Sequence, residues 1–159
     1  YTRDRLIETL RRNDFKDDND DVYIIGDFVY RADKNVAWYC NRLHGKKHLI
    51  LGNHDKLTDD DRKYFVLVDK MLHITDGSNQ ICACHFPIAE WNGFRKGHYH
   101  IYAHIHNKKD DTYEFMSKRE RALNAGCMIN NYMPVTFQEL VLNNNIFKSQ
   151  TDKNYASWE

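Results

Sequence analysis

Short apolar runs separated by polar segments are the main pattern in the first half of the chain. Val22–Ile25 and Lys47–Leu51 are each followed by a glycine, and both predict buried strands. Between them, Ala32–Leu43 predicts a helix, and Arg3–Arg12 has apolar residues at the spacing of another short helix. Thr58 begins a segment that predicts a helix running to about Val68.

Strand patterns dominate the second half. Met71–Thr75 and Gln80–His85 flank a polar turn and predict a hairpin, and His100–His104 predicts a further strand. Tyr113–Ser117 and Arg121–Asn124 are weaker strand candidates. The sequence from Thr136 to Glu139 fits a capping box that opens a short helix, and the polar tail after Asn143 either frays or packs late. Alternating strands and helices followed by strands indicate an α/β sandwich with a mixed sheet.

Length, charge and cysteine spacing limit the possible classes of protein. A chain of 159 residues fits one domain, 1–159. Lys plus Arg and Asp plus Glu number 23 each, so no global charge attracts nucleic acid or an anionic membrane. No apolar run reaches the roughly 18–20 residues of a membrane span, and the N-terminus is too polar for a signal peptide. None of the four cysteines forms a C-x-x-C pair, which predicts reduced, packed thiols and a cytoplasmic location.

Residues that can bind a metal follow four of the predicted strands. Asp27 follows the first run, Asn53-His54-Asp55 the second, His85 the hairpin, and His104 and His106 the strand after it. Because ligand sites in open α/β sheets lie beyond the carboxyl ends of strands, these side chains can converge there. Imidazole, carboxylate and amide oxygen suit Mn, Fe, Zn or Ni, and Asp27 is the natural bridge between two ions.

Each motif also has an ordinary structural explanation. Gly26-Asp27 alone is usually a turn, and Gly52-Asn53-His54-Asp55 can be one too. His104 and His106 share a face if their segment is extended, but alone they could be surface histidines. The order of the motifs and their place at strand ends favour a joint functional site.

The combined motifs resemble those of the calcineurin-like metallophosphoesterase superfamily, whose motifs are Asp-x-His, Gly-Asp, Gly-Asn-His-Asp/Glu, a lone His, and Gly-His-x-His. The chain is most similar to small bacterial and phage members in its segments 26–28, 46–55, 85–93 and 130–135. The resemblance implies a sandwich of two mixed β-sheets flanked by helices. It also implies a metal-dependent phosphoesterase that hydrolyses a phosphomonoester or phosphodiester of a small molecule or nucleotide by attack of a metal-bound hydroxide.

The resemblance also implies a role for each matched residue and two divalent metal ions. Asp27 would bridge both ions, and His54 would assist the leaving group, with Asp55 orienting it. Arg31 could reach a substrate phosphate, or it could be an ordinary surface arginine. The second metal would be completed by Asn53, His85 and His104, and the first would be bound by His106. No role follows for His44, His48, His73, His98 and His100, for which surface or packing positions are expected.

Two departures from the superfamily pattern affect these expectations. Ala103 stands where a glycine usually precedes the two histidines, and no Asp-x-His triplet occurs before Gly26. One explanation is that a loop carrying the triplet is missing from this sequence between Thr2 and Arg3. The other is true loss, which would leave a relative that acts as a protein-binding scaffold. A nuclease is the third alternative. A nuclease would need a basic groove for nucleic acid, and the zero net charge gives no indication of one.

Overall fold

Two β-sheets carry the architecture of residues 18–150, the part of the chain that this computed structural model describes. The smaller sheet has the order β1-β2-β3, with β1 at Asp21–Ile24, β2 at Lys46–Ile50 and β3 at Leu67–Asp69. Both strand pairings in it are parallel. Parallel neighbours need a crossover connection, and short helices supply it. They are α1 at Val36–Cys40 and α2 at Asp59–Arg62.

The larger sheet has the order β4-β5-β6-β7 and is mixed. Strands β4 (Met71–Asp76) and β5 (Asn79–Cys84) form the antiparallel hairpin, whose turn contains Gly77 at φ +58°. Strands β6 (Tyr99–Tyr102) and β7 (Ala122–Asn124) then run parallel to β5. A 3₁₀ turn at 94–96 precedes β6, and α3 (Asp111–Ser117) precedes β7.

Helix α4 (Phe137–Ser149) closes the outer edge of the larger sheet. A capping box starts it, because Thr136 Oγ1 accepts the Glu139 N–H and the Glu139 carboxylate accepts the Thr136 N–H. A second 3₁₀ turn at 127–129 lies between β7 and this helix. No helix within residues 18–150 has the length and apolar character that crossing a membrane requires.

The two sheets contact each other through a shared buried cluster. Ile50 of β2 packs with Leu72 and Ile74 of β4 and with Ile81 and Ala83 of β5. Apolar surface buried here is the main source of stability for this arrangement. The contact brings the carboxyl ends of strands from both sheets to one side of the molecule.

The predicted α/β class, the two sheets and the hairpin are confirmed, whereas several element bounds were wrong. The helix predicted over Ala32–Leu43 is only α1, which Asn35 caps by accepting the Trp38 N–H. The helix predicted to Val68 ends at Arg62, because the apolar residues that follow join the smaller sheet as β3. The strand predicted over Tyr113–Ser117 is helix α3, and the short helix after Thr136 continues through the polar tail to Ser149.

Other expectations are met in part or lie outside the described residues. The predicted helix Arg3–Arg12 and the segment expected to carry Asp-x-His belong to residues 1–17, which the structure does not describe. All four cysteines are free, and Cys40 and Cys82 are buried as expected. Cys127 is exposed, so the packed position predicted for it was wrong. The cytoplasmic location stays a prediction.

Candidate functional site

Four polar side chains meet where strands of the two sheets end. Asp27 and Asn53 follow β1 and β2 of the smaller sheet, and His85 and His104 follow β5 and β6 of the larger one. Asn53 Oδ1 lies 3.2 Å from His85 Nε2 and 3.2 Å from His104 Nδ1. Asp27 Oδ2 lies 3.4 Å from His85 Nε2. The predicted convergence of these four side chains is therefore present.

His85 is held so that one ring nitrogen faces this cluster. Its Nδ1 lies 2.7 Å from the carbonyl oxygen of Ile25, to which an Nδ1–H donates. The other ring nitrogen, Nε2, then faces two oxygen atoms, Asn53 Oδ1 and Asp27 Oδ2. Acceptor atoms face one another stably only when a proton or a cation lies between them. Alternatively, the Asn53 amide can be rotated by 180°, so that its NH₂ group faces the histidine nitrogens. A histidine whose second nitrogen donates to a backbone carbonyl is the usual arrangement of a metal ligand.

Two glycines allow the strand ends to approach this closely. A Cβ on Gly26, which has φ +82°, would lie 2.3 Å from His85 Nδ1. A Cβ on Gly52 would lie 2.3 Å from Asp27 Oδ1. Both positions therefore exclude any side chain, which explains why glycine precedes Asp27 and Asn53 in this chain.

The donor set and its spacing fit a divalent ion. Ligand atoms about 2.0–2.2 Å from one ion lie about 3.0–3.5 Å from each other at tetrahedral or octahedral angles. The three contacts of 3.2, 3.2 and 3.4 Å match this spacing. Within residues 18–150, His, Cys, Asp and Glu alone form no group of three that could hold an ion. The cluster depends on the Asn53 amide, which links His104 to the other ligands.

The segment that carries His104 and His106 is a tight turn, so the extended conformation predicted for it was wrong. Ile105 N–H donates to Ala103 O at 2.7 Å, and the two histidines have φ values of +63° and +54°. The buried Ile105 points inward, and both imidazoles are left on the exposed side. Partial burial lowers the pKa of each histidine, and the Asp27 carboxylate opposes that shift in both. The opposing effect of Asp27 on both rings indicates that His106, like His104, lies near this carboxylate.

Asp55 ties the two glycine loops together. Its Oδ2 accepts the N–H groups of Asp27 and Gly52, each at 2.8 Å, and its Oδ1 accepts the Phe28 N–H at 2.8 Å. Both carboxylate oxygens are therefore engaged by backbone. The hydrogen bonds of residues 18–150 include none between Asp55 and His54, so the orienting contact expected from the resemblance is not present in this structure.

His54 is positioned by other groups. Its backbone N–H donates to Asp27 Oδ1 at 3.0 Å, and its ring stacks on Tyr30 with centroids 3.7 Å apart and an interplanar angle of 11°. Arg31 lies on the same ring, with Cζ 5.2 Å from its centroid. Arg31 also has φ +53°, so the loop after Asp27 turns sharply here. The predicted substrate-binding Arg31 and the predicted catalytic His54 are thus joined through Tyr30.

Two aromatic residues at the site were not predicted from the sequence. Tyr30 supports His54, and Phe86 contacts His104 and His85 with ring centroids 4.8 and 5.2 Å apart. Both rings are exposed, at 37% and 43%. Phe86 directly follows His85, which was a usable signal, whereas Tyr30 is three positions after Asp27 and carried no such signal.

Three of the five unmatched histidines, His44, His48 and His100, have hydrogen-bond partners outside the cluster. His48 and His44 contact Asp21 and Asp18 on the outer side of the smaller sheet. His100 is fully buried, with Nδ1 2.8 Å from Cys82 O and Nε2 accepting the Ile88 N–H at 3.0 Å. Burial lowers the pKa of His100, which keeps the ring neutral between these partners.

Comparison with known proteins reaches the fold but no named family. No protein-family model and no curated protein matches the chain. Among solved structures, the chain is similar to a crystal structure of a protein of unknown function from Aquifex aeolicus, with 23% identity and a TM-score of 0.64. The match covers 85% of this chain and 81% of that chain. At this identity the likeness shows a shared α/β fold alone.

Proposed function

We propose that this protein is a metal-dependent phosphoesterase. The observation that carries the proposal is the meeting of Asp27 Oδ2, Asn53 Oδ1, His85 Nε2 and His104 Nδ1 at four strand ends, with contacts of 3.2–3.4 Å. These atoms are the donors that Mn, Fe, Zn or Ni prefer. Two divalent ions bound here would polarise a phosphoryl group and lower the pKa of a water molecule.

The residues divide between two ion positions. Asp27, Asn53, His85 and His104 would hold one ion, and Asp27 with His106 would contribute to the other. The first set is complete within residues 18–150, whereas the second has two ligands there. The motifs that supply them resemble those of the metallophosphoesterase superfamily.

The chain's own groups would bind the substrate and move a proton. His54 is exposed beside the cluster, fixed by its backbone bond to Asp27 and by the face of Tyr30. An imidazole there can donate a proton to the oxygen that leaves phosphorus. The exposed Arg31 guanidinium, on the same aromatic ring, can contact a phosphoryl oxygen. Asp55 would keep the Asp27 and Gly52 loops at a fixed separation rather than orient His54.

Hydrolysis assays with two substrates test the proposal. The full-length protein should cleave bis-p-nitrophenyl phosphate or p-nitrophenyl phosphate when Mn is added, and Asp27→Asn and His85→Ala should abolish turnover. His73→Ala is the matched control, because His73 is an exposed histidine of β4 outside the cluster. The metal content of the purified protein should equal one or two ions per chain. No turnover with any divalent metal in a chain of verified mass would contradict the proposal.

A protein-binding scaffold is the second candidate. Within residues 18–150, the ligand types His, Cys, Asp and Glu form no metal group of three by themselves, and the Asp-x-His motif does not precede Gly26. An intact mass equal to the 19.0 kDa of this sequence, together with absence of bound metal, would favour the scaffold.

A further inference from the structure

A polar cavity lies at the end of the larger sheet that is opposite to the candidate metal site. It has a volume of about 220 Å³ and is lined by Trp91, Phe94, Lys118, Arg119, Glu120 and Arg121. Phe94 precedes β6, and residues 118–121 precede β7. The cavity is therefore at the amino ends of these parallel strands, while the cluster around Asp27 is at the carboxyl ends of their neighbours.

Arg119 is held rigidly in the wall of this cavity. Its guanidinium carbon lies 4.8 Å from the ring centroid of Phe94 and 4.7 Å from that of Phe115. An arginine between two aromatic faces is attracted to both and loses little further freedom when it binds a ligand. Its Nε is buried and has no hydrogen-bond acceptor within residues 18–150. A buried donor without an acceptor is rare and costly, so this guanidinium has hydrogen-bonding capacity that residues 18–150 do not use.

The charges around the cavity are unbalanced. Lys118, Arg119 and Arg121 carry three positive charges, whereas Glu120 carries the one negative charge of the lining. None of the three cations forms an ion pair with a carboxylate of residues 18–150. Cations that line one cavity repel one another, and an anion among them would remove that repulsion. The excess of two positive charges matches a dianion.

From this arrangement, we infer that the cavity is a binding site for a phosphate dianion, free or as the phosphoryl group of a small molecule. A phosphoryl group at neutral pH carries a charge of about −1.5 to −2 and has three acceptor oxygens. Arginine forks match such oxygens in pairs, and Lys118 adds a third donor group. The site is separate from the candidate metal cluster and does not depend on the phosphoesterase proposal.

Phosphate titration followed by NMR tests this site directly. The full-length protein, labelled with ¹⁵N and treated with a chelator, is titrated with inorganic phosphate at constant ionic strength. The Arg119 Nε–Hε signal should be visible because burial protects it from exchange, and it should shift with saturable dependence on phosphate. An unchanged signal up to ten times the phosphate concentration of a cell, about 100 mM, would overturn the inference.

Substitutions separate the cavity from general surface charge. Arg121→Gln should weaken phosphate binding roughly tenfold, since it removes one charge-assisted contact. Arg95→Gln is the matched control and should change affinity less than twofold, because Arg95 is 87% exposed, lies outside the lining and pairs with Glu90. Arg121 has an exposed side chain, so its variant should fold.

A single-stranded oligonucleotide distinguishes a site for one phosphoryl group from an extended nucleic-acid surface. The oligonucleotide should bind no more tightly per phosphate than inorganic phosphate does, because the cavity holds one phosphoryl group. Much tighter oligonucleotide binding that weakens equally in Arg95→Gln and Arg121→Gln would overturn the inference. Such a ligand would follow the basic surface and not the cavity.

Discussion

At the residue scale, the Asp55 carboxylate makes the hydrogen bonds on which the geometry of the candidate site depends most. It accepts backbone N–H groups from Asp27, Phe28 and Gly52, so it joins two loops that are far apart along the chain. An anion that accepts several backbone N–H groups is bound more strongly than a neutral acceptor. The resemblance to the metallophosphoesterase superfamily had instead implied that Asp55 orients the ring of the neighbouring His54.

We expect Asp55→Asn to lower the free energy of unfolding by about 1–3 kcal/mol, because one carboxylate oxygen becomes an NH₂ group facing an N–H donor. Urea denaturation measures this change. Asp60→Asn is the matched control, with a change within about 0.5 kcal/mol, since Asp60 pairs with Lys63 while its side chain is 88% exposed. Equal losses in the two variants would contradict a role for Asp55 in joining the loops.

His100 gives the chain a predictable pH dependence. Burial lowers its pKa in the folded state, whereas the unfolded value is close to 6.5. Its contribution to stability is therefore complete above about pH 6.5 and is lost as the pH falls toward the lower folded pKa. Protonation would also place an N–H against the Ile88 N–H that Nε2 now accepts.

The free energy of unfolding, measured in urea between pH 7.5 and pH 5, should therefore fall on acidification. His104 and His106 also have lowered pKa values and add to this trend. His100→Asn isolates the buried ring: this variant should be less stable at pH 7.5 but should lose less on acidification. Parallel pH curves for the two proteins would show that His100 does not carry the effect.

The candidate ligands could be read from the sequence, whereas their supporting contacts could not. Buried apolar runs end at Asp27, Asn53, His85 and His104, so pattern alone placed these side chains at one edge. Asp55 contacts Asp27 and Phe28, and Tyr30 contacts His54, in each case 24–28 positions away along the chain. Only the fold brings these groups together. Local pattern carries no information about such distant contacts.

At the element scale, one side chain of helix α4 supplies the hydrogen bonds that the outer edge of strand β7 would otherwise lack. Asn144 Oδ1 accepts the Asn124 N–H at 2.8 Å, and Asn144 Nδ2 donates to Asn124 O at 3.0 Å. The amide thus takes the place of a further strand, pairing both backbone groups of a fully buried residue. An edge strand left unpaired and buried would be strongly unfavourable.

Asn144→Leu should lower the free energy of unfolding by about 1–3 kcal/mol, because the buried Asn124 N–H loses its acceptor, while the Asn124 carbonyl keeps only the longer contact of 3.3 Å from Asn130 Nδ2. Asn145→Leu, at the exposed neighbouring position of the same helix, should change it by about 0.5 kcal/mol or less. Thermal and urea unfolding of the two variants, compared with the parent, give the difference. A similar effect from both would mean that leucine harms the helix and not the strand edge.

Element boundaries failed where tertiary contacts overrode local pattern. Tyr113, Phe115 and Ser117 alternate with other residues as in a strand, yet Asp110 caps a helix there by accepting the Tyr113 N–H. An aspartate before the segment was an available signal for that helix. The residues after Arg62 do not continue the predicted helix, because Leu67–Asp69, which includes the β-branched Val68, pairs with β2 as a strand. The capping boxes at Thr58 and Thr136 were predictable because they are local.

At the scale of the whole molecule, metal binding should stabilise the fold. An ion that binds only the folded chain at 100 times its Kd adds about 2.7 kcal/mol, or roughly 5–10 °C in Tm for a domain of this size. We expect this shift with Mn relative to chelator, and its loss in His85→Ala. His73→Ala should keep it. An equal shift in both variants would place the ion elsewhere.

The proposed ligands are divided between the two sheets, with Asp27 and Asn53 on one and His85 and His104 on the other. Apart from this cluster, the sheets meet through apolar packing around Ile50. A bound ion would therefore link the two sheets and oppose their transient separation. Backbone amides of Leu49 and Ala83 should then exchange with solvent deuterium more slowly with Mn, while those of α4 stay unchanged.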